Sequence, residues 1–150
     1  VSEMGNISHS TLVRANRFFL EKKIYEKVFT HLIKRAHRKG LIPGRFIAMD
    51  ASFVGTFSRK EELGSFGWNE FKNTFGFKLH LLVDCETKFP IALCLSHGLA
   101  SDNTLAIPLL KSAKSLLKKA GYVVADKGYD SGDLVNWIVK ELRWTPLSIQ

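Results

Sequence analysis

The sequence predicts an α/β protein in which basic helices precede a mixed sheet covered by helices. Three observations carry that expectation. Apolar residues recur every four positions from about His9 to Lys39. Beyond Gly44 the period becomes strand-like. After Ser96 a helical stretch, a short apolar strand and a second helical stretch follow one another.

The helical region divides in two. The stretch ISHSTLVRANRFF offers a Ser at position 8 or 10 as a cap, followed by Leu12, Val13 and Ala15. A break is expected near Glu21. Ile24/Tyr25, Val28/Phe29, Leu32/Ile33 and Ala36 then form one apolar stripe, with Lys27, Lys34, Arg35 and Arg38 off it. Gly40, Pro43 and Gly44 end the helices.

Phe46 to Val54 reads as the first strand. Phe75 to Asp84 reads as the second, where FGFKLHLLVD alternates apolar residues with Lys78 and His80. Pro90 to Ser96 (PIALCLS) is an apolar run of strand length, and Cys85 to Phe89 suits the hairpin turn between these two strands. Asp102 is placed to cap a helix running to Ala120 and closed by Gly121. Pro108 is awkward there, fitting if the regular helix begins near Ile107 and otherwise kinking it. YVVA, residues 122 to 125, is a short buried strand. Ser131 caps a last helix through Leu142, and TPLSIQ at the end has the look of another strand. The β-β-β-α-β-α order resembles the ribonuclease-H-like fold.

Composition narrows the function classes. With 45% hydrophobic and 24% charged residues the chain is of soluble globular type. No apolar run approaches the roughly 20 residues of a membrane span, and the N-terminus has no signal pattern. Cys85 and Cys94 form neither a metal-ligand spacing nor a disulfide framework, so a reducing, cytoplasmic setting is expected. Net charge is +8, unevenly placed. Residues 1–45 carry ten Lys or Arg against three acids, a balance of +7, while residues 46–150 carry twelve against eleven. An excess gathered in one helical segment suits a polyanion such as DNA, although a solvated helix face has the same composition. The expected division is therefore 1–44, a basic helical region, and 45–150, a core of ribonuclease-H-like type.

Within RFIAMDASFV, Asp50 sits in an apolar run, a placement that calls for a partner if the carboxylate is buried. Asp126 directly follows the fourth strand. If strands one and four are neighbours, the two carboxylates meet at one edge of the sheet. A hard cation such as Mg²⁺ between them would relieve their repulsion. Two ions about 3.5–4 Å apart would make the clamp used for in-line phosphoryl displacement. The plainer readings are a strand-end acceptor for Asp50 and a turn opener for Asp126. Hairpin formation accounts for Asp84, and helix capping for Asp102.

MDASFV, FGFKLHLLVD, PIALCLSHGLASDN and VVADKGYDSGDL resemble, in order and spacing, the catalytic core of DDE-type insertion-sequence transposases, closest to the insertion-sequence-four group. The first acid of that family is matched by Asp50. Its D-x-[GA]-[YF] motif is matched by Asp126-Lys127-Gly128-Tyr129, the most specific part of the likeness, and ISHSTLVRANR is similar to the family's N-terminal DNA-binding region. The resemblance implies Mg²⁺ or Mn²⁺, two ions, held by Asp50, Asp126 and a later Glu. It also implies double-stranded DNA as partner, both transposon ends and target, a homodimeric synaptic complex, and a bacterial protein at the nucleoid. Lys78, His80 and Lys127 are candidates for phosphate contacts near the site, and Arg14, Arg17, Lys34, Arg35 and Arg38 for positioning contacts to the DNA backbone. Trp68 and Phe71 are candidates for stacking on a base or for packing a loop.

The family's third acid lies in a Y-x₂-R-x₃-E-x₆-K signature, which nothing here matches. Glu141 lies about ten residues into a helix, roughly 15 Å along its axis, and is too far to serve. The sequence is thus expected to be a fragment of the core, inactive alone. The alternatives are an inactive DNA-binding remnant, or a nuclease or resolvase of the same fold that cuts without joining.

Overall fold

The computed structural model describes residues 7–56, 67–69, 74–114 and 121–148, with the backbone alone for 67–69 and 74. Helix α1 (His9–Glu21) is capped by Ser8, whose hydroxyl accepts from the Thr11 amide. The chain breaks at Lys22 and Lys23, the latter left-handed at φ 51°, and continues as α2 (Ile24–Arg38). Gly40, at φ 72°, turns the chain away after α2, a conformation that glycine adopts without a Cβ penalty.

Six strands form one sheet among the described residues: β1 (Phe46–Gly55), β2 (Gly67–Asn69), β3 (Thr74–Asp84), β4 (Pro90–His97), β5 (Tyr122–Ala125) and β6 (Thr145–Ser148). β1 is antiparallel to β3 and parallel to β5, and β6 is parallel to β5. The other edge of β3 carries β4 along Phe77–Val83 and the short β2 at residues 74–76. β2 lies in a segment that reads as an insertion. Its Trp68 is placed by backbone only, and Phe71 lies outside the described residues.

Helix α3 (Asn103–Lys114) packs against β3 and β4 and touches α4 (Gly132–Trp137). It begins earlier than Pro108 suggests. The proline lies inside it at an exposed position, where solvent can take up the carbonyl left without an N–H partner. The end of this helix expected at Ala120 falls outside the described residues. Ser131 caps α4 through the Leu134 amide, and α4 continues into a π-helical turn, Ile138–Leu142.

Helices α2, α3 and α4 cover one face of the sheet. Ile47, Met49, Leu82 and Val123 are buried there in one cluster with Ala106, Leu109, Leu110, Leu134 and Ile138, and α2 adds Ile33. Burial of this set supplies the main stabilisation, since apolar area removed from water is worth about 25 cal/mol per Å². On the opposite face, among the described residues, Ala48, Leu79, Leu81, Val83 and Val124 are half-buried, while Phe46, Val54, Leu93, Leu95, Tyr122 and Leu147 are exposed. Phe46 and Tyr122 stack there with ring centres 4.7 Å apart.

This arrangement inverts the usual facing of polar strand residues, which is toward solvent. Lys78, His80, Leu82 and Asp84 share the helix-covered side, with His80 and Asp84 buried, and the leucines between them face outward. The inversion holds because each inward polar group has a partner, as burial requires. Lys78 pairs with Asp102. His80 Nε2 meets Ser96 Oγ at 2.7 Å. Asp84 accepts from Gly44, Glu86 and Thr87.

Candidate active site

The last register pair of β1 and β5 is Met49 with Ala125. Asp50 and Asp126 come next on these parallel neighbours, whose axes lie about 4.8 Å apart. Asp50 pairs across to Leu81 of β3, so strand alternation sets it on the open face, exposed. That corrects the premise that apolar flanks imply a buried carboxylate. Alternation alone accounts for an acid between Met49 and Ala51, and no partner is required to pay for desolvation. Asp50 Oδ1 accepts from the Ala51 amide at 2.7 Å.

Asp126 is also exposed, in extended backbone directly before a 3₁₀ turn, Lys127–Tyr129. Its Oδ1 accepts from the Gly128 amide at 2.9 Å, which fixes the carboxylate over its own turn. Gly128 has no left-handed backbone; its requirement is close approach. A Cβ there would lie 3.1 Å from Asp126 Oδ1 and 3.2 Å from Asp102 Oδ2, so these oxygens are no further apart than the sum of the two distances.

Tyr129 projects inward and is 4% exposed. Burial, followed by the carboxylates of Asp102, Asp50 and Asp126, holds its phenol well above the ordinary range. The hydroxyl therefore stays protonated. A cavity of about 200 Å³ opens beside it, lined by Ala125, Asp126, Tyr129, Asp130, Pro146 and Ser148. A larger one, about 570 Å³, lies between α2 and the β4–α3 side, lined by Phe29, Thr30, Lys34, Ile91, Leu93 and Ser112, away from both acids.

The remaining expected site residues divide by exposure. Arg14 and Arg17 on α1, Lys34, Arg35 and Arg38 on α2, and Lys127 are all exposed. His80 is 1% exposed, so the expectation that it touches DNA fails: its ring is enclosed by the sheet and the helix layer. Burial pushes its pKa below the ordinary value, with Asp102 pulling the other way and Lys78 adding to the fall. Lys78 is also diverted. Its Nζ lies 2.7 Å from Asp102 Oδ1 and 2.9 Å from the Ala100 carbonyl. Asp102, expected to cap α3, is therefore engaged by Lys78 instead. The sequence signal for this was present, since Lys78 and His80 alternate in phase with Asp84, and three polar groups on one strand face require partners on the layer above.

Two exposed carboxylates with free lone pairs are donors of the kind a hard divalent cation takes, alongside water and phosphate oxygens. The residues present thus fit part of such a donor set. Among the described residues no group of three or more His, Cys, Asp or Glu is placed to hold a metal ion. No described helix is long and apolar enough to cross a membrane.

Comparison with known proteins bears on the family. No curated protein matches the chain. Among solved structures, the piggyBac transposase synaptic complex with hairpin DNA superposes with a TM-score of 0.51 at 16% identity, over 71% of this chain and 22% of that one. The simian T-cell lymphotropic virus intasome in complex with PP2A regulatory subunit B56 gamma gives 0.46 at 17% identity, over 74% and 36%, a score at which the likeness decides nothing. This chain therefore spans about a fifth of the first of these proteins. Identity at that level shows the fold alone, which is of the ribonuclease-H-like type expected from element order. The family model for the transposase DDE domain matches residues 42–150, from the turn before β1 to the end of the sequence. The chain belongs to the transposase DDE domain family.

Proposed function

We propose that this chain supplies the first two acids of a DNA transposase active site, and that the complete site breaks and rejoins phosphodiester bonds. The observation that carries the reading is the parallel β1–β5 register, which puts Asp50 and Asp126 side by side in a chain matching this family. Asp50 and Asp126 would hold the divalent ions, Mg²⁺ or Mn²⁺ and two in number. Such ions supply Lewis-acid neutralisation of phosphate charge and a more acidic attacking oxygen. The protein's own part is positional, as is general in phosphoryl transfer. β1 and the turn after β5 carry the two carboxylates, and the Gly128 N–H orients Asp126. A third carboxylate, expected from the family on a later helix, would complete the set. Without it the 150 residues are expected to be inactive.

The helical region of residues 1–44 serves as a DNA-positioning part in this reading. Arg14, Arg17, Lys34, Arg35 and Arg38 are exposed, and the ion pair between described residues is elsewhere, at Lys78–Asp102. They are available for the counterion-releasing contacts that dominate DNA affinity. Lys127, next to Asp126, is the basic residue best placed to meet the reacting strand. The solved relative named above is a synaptic complex with hairpin DNA, and double-stranded transposon ends and target are the proposed partners here, with a dimer as the synaptic unit and the bacterial cytoplasm as its setting.

The test is replacement of each acid in the full-length protein. Asp50→Asn and Asp126→Asn should each abolish metal-dependent nicking of end-containing DNA while leaving DNA affinity within about threefold of wild type. Normal cutting by either variant removes that residue from the site. Assay of joined as well as hydrolysed products separates a transposase from a nuclease of the same fold.

A further inference from the structure

The segment between β4 and α3 is stapled to both sides of the candidate site. Lys78 of β3 donates to the Ala100 carbonyl at 2.9 Å and to Asp102 Oδ1 at 2.7 Å. Asn103 Nδ2 donates to the Gly128 carbonyl at 3.0 Å. The other oxygen of Asp102 lies against Gly128, on whose amide the Asp126 carboxylate rests. A continuous chain of contacts thus runs from the centre of β3 to the carboxylate of Asp126.

The buried side-chain polar atoms without partners among the described residues are His80 Nδ1, Asn103 Oδ1 and Tyr129 Oη. All three border this chain of contacts. Asn103 belongs to it through its Nδ2, Tyr129 directly follows Gly128, and His80 shares the covered side of β3 with Lys78. Unsatisfied buried groups are uncommon, and all three occur on residues in or next to this chain of contacts. Lys78 and Asp102 are 21% and 28% exposed, so their ion pair is shielded in part from solvent and salt.

We propose that Lys78 and Asp102 form a charge-balancing pair beside the Asp126 turn, so that the cation site keeps its net negative balance. The proposal rests on the reading that Asp50 and Asp126 bind divalent cations. With Asp102 in place, the Lys78 ammonium is neutralised. Without it, the unpaired positive charge of Lys78 disfavours a cation at Asp126. Removing Lys78 instead leaves an unneutralised carboxylate facing Asp126 across Gly128, which favours cation binding. The two single substitutions should therefore act in opposite directions, a pattern that loss of structural support does not produce.

The experiment is Mn²⁺ titration of the 150-residue protein followed by electron paramagnetic resonance of the free ion, with circular dichroism as a check on folding. Asp102→Asn should weaken Mn²⁺ binding about tenfold, the scale of outer-shell substitutions at metal sites. Lys78→Met should bind at least as tightly as wild type. The double variant Lys78→Met/Asp102→Asn should return to within about twofold of wild type, because both charges are then gone. Wild-type affinity in Asp102→Asn, or parallel losses in both single variants without recovery in the double, overturns the proposal. Asp50→Asn and Asp126→Asn are the controls. If they leave Mn²⁺ affinity unchanged, the cation reading itself fails, and this failure is separate from that of the Lys78–Asp102 pair.

Discussion

Asp84 gives the sharpest quantitative test of how the site is held. The residue is completely buried at the end of β3. Its Oδ1 accepts from the Glu86 amide at 3.1 Å, the Thr87 amide at 2.8 Å and the Thr87 hydroxyl at 2.9 Å; Oδ2 accepts from the Gly44 amide at 2.8 Å. One carboxylate thus ties the β3–β4 hairpin to the turn that launches β1, forty residues earlier, and so fixes where β1 begins. In Asp84→Asn the best orientation keeps the carbonyl oxygen toward the three donors. The amide NH₂ then faces the Gly44 N–H, so a charge-assisted bond is lost and a buried donor is left unsatisfied.

Those two effects are worth about 1.5–3 and 1–3 kcal/mol, and partial relaxation gives an expected loss of about 2–4 kcal/mol. Urea unfolding at pH 7 should show this as a lower midpoint with an unchanged slope. The pH dependence has a definite sign. Burial opposes ionisation of Asp84, but the hydrogen bonds from Thr87, Gly44 and Glu86 outweigh it and hold the carboxyl below its ordinary value. The stabilisation is therefore present above the unfolded pKa of about 3.9 and is lost as pH falls through the lower folded value. The gap between wild type and Asp84→Asn should close in that range. A difference under about 0.5 kcal/mol at pH 7, the size of an ordinary surface change, would refute the reasoning.

Two further outcomes follow from the same geometry. Gly128→Ala places a methyl 3.1 Å from Asp126 Oδ1 and 3.2 Å from Asp102 Oδ2, forcing both carboxylates to move by a few tenths of an ångström. Metal-dependent nicking by the full-length protein should fall by about tenfold or more for a thermal stability change near 1 kcal/mol, measured by turnover assays beside thermal unfolding. Replacing Arg14, Arg17, Lys34, Arg35 and Arg38 by Ala should weaken DNA binding without regard to sequence. The slope of log affinity against log salt should shrink by about 0.9 for each phosphate contact removed, and an unchanged slope in filter-binding or anisotropy titrations would place the DNA elsewhere.

Much of this protein was legible in one dimension. Local rules decide helices and strands: Ser8 and Ser131 as caps, the break after Glu21, the hairpin turn at Asp84 and the strand at residues 145–148 all follow from short-range chemistry. The placement of the two acids was also legible: Asp50 lies within β1 just past its last pair with β5, Asp126 directly follows β5, and strand order follows from chain topology. What periodicity could not settle was which side of β3 faces the helices. Alternation gives two faces but does not say which is covered, and the rule that polar groups point outward gives the wrong answer for Lys78 and His80. Only the packed structure brings Asp102 to Lys78 from 24 residues away and Ser96 to His80 from 16. A polar side chain is stable inside only when its partner arrives from another element, and no local pattern records that arrival.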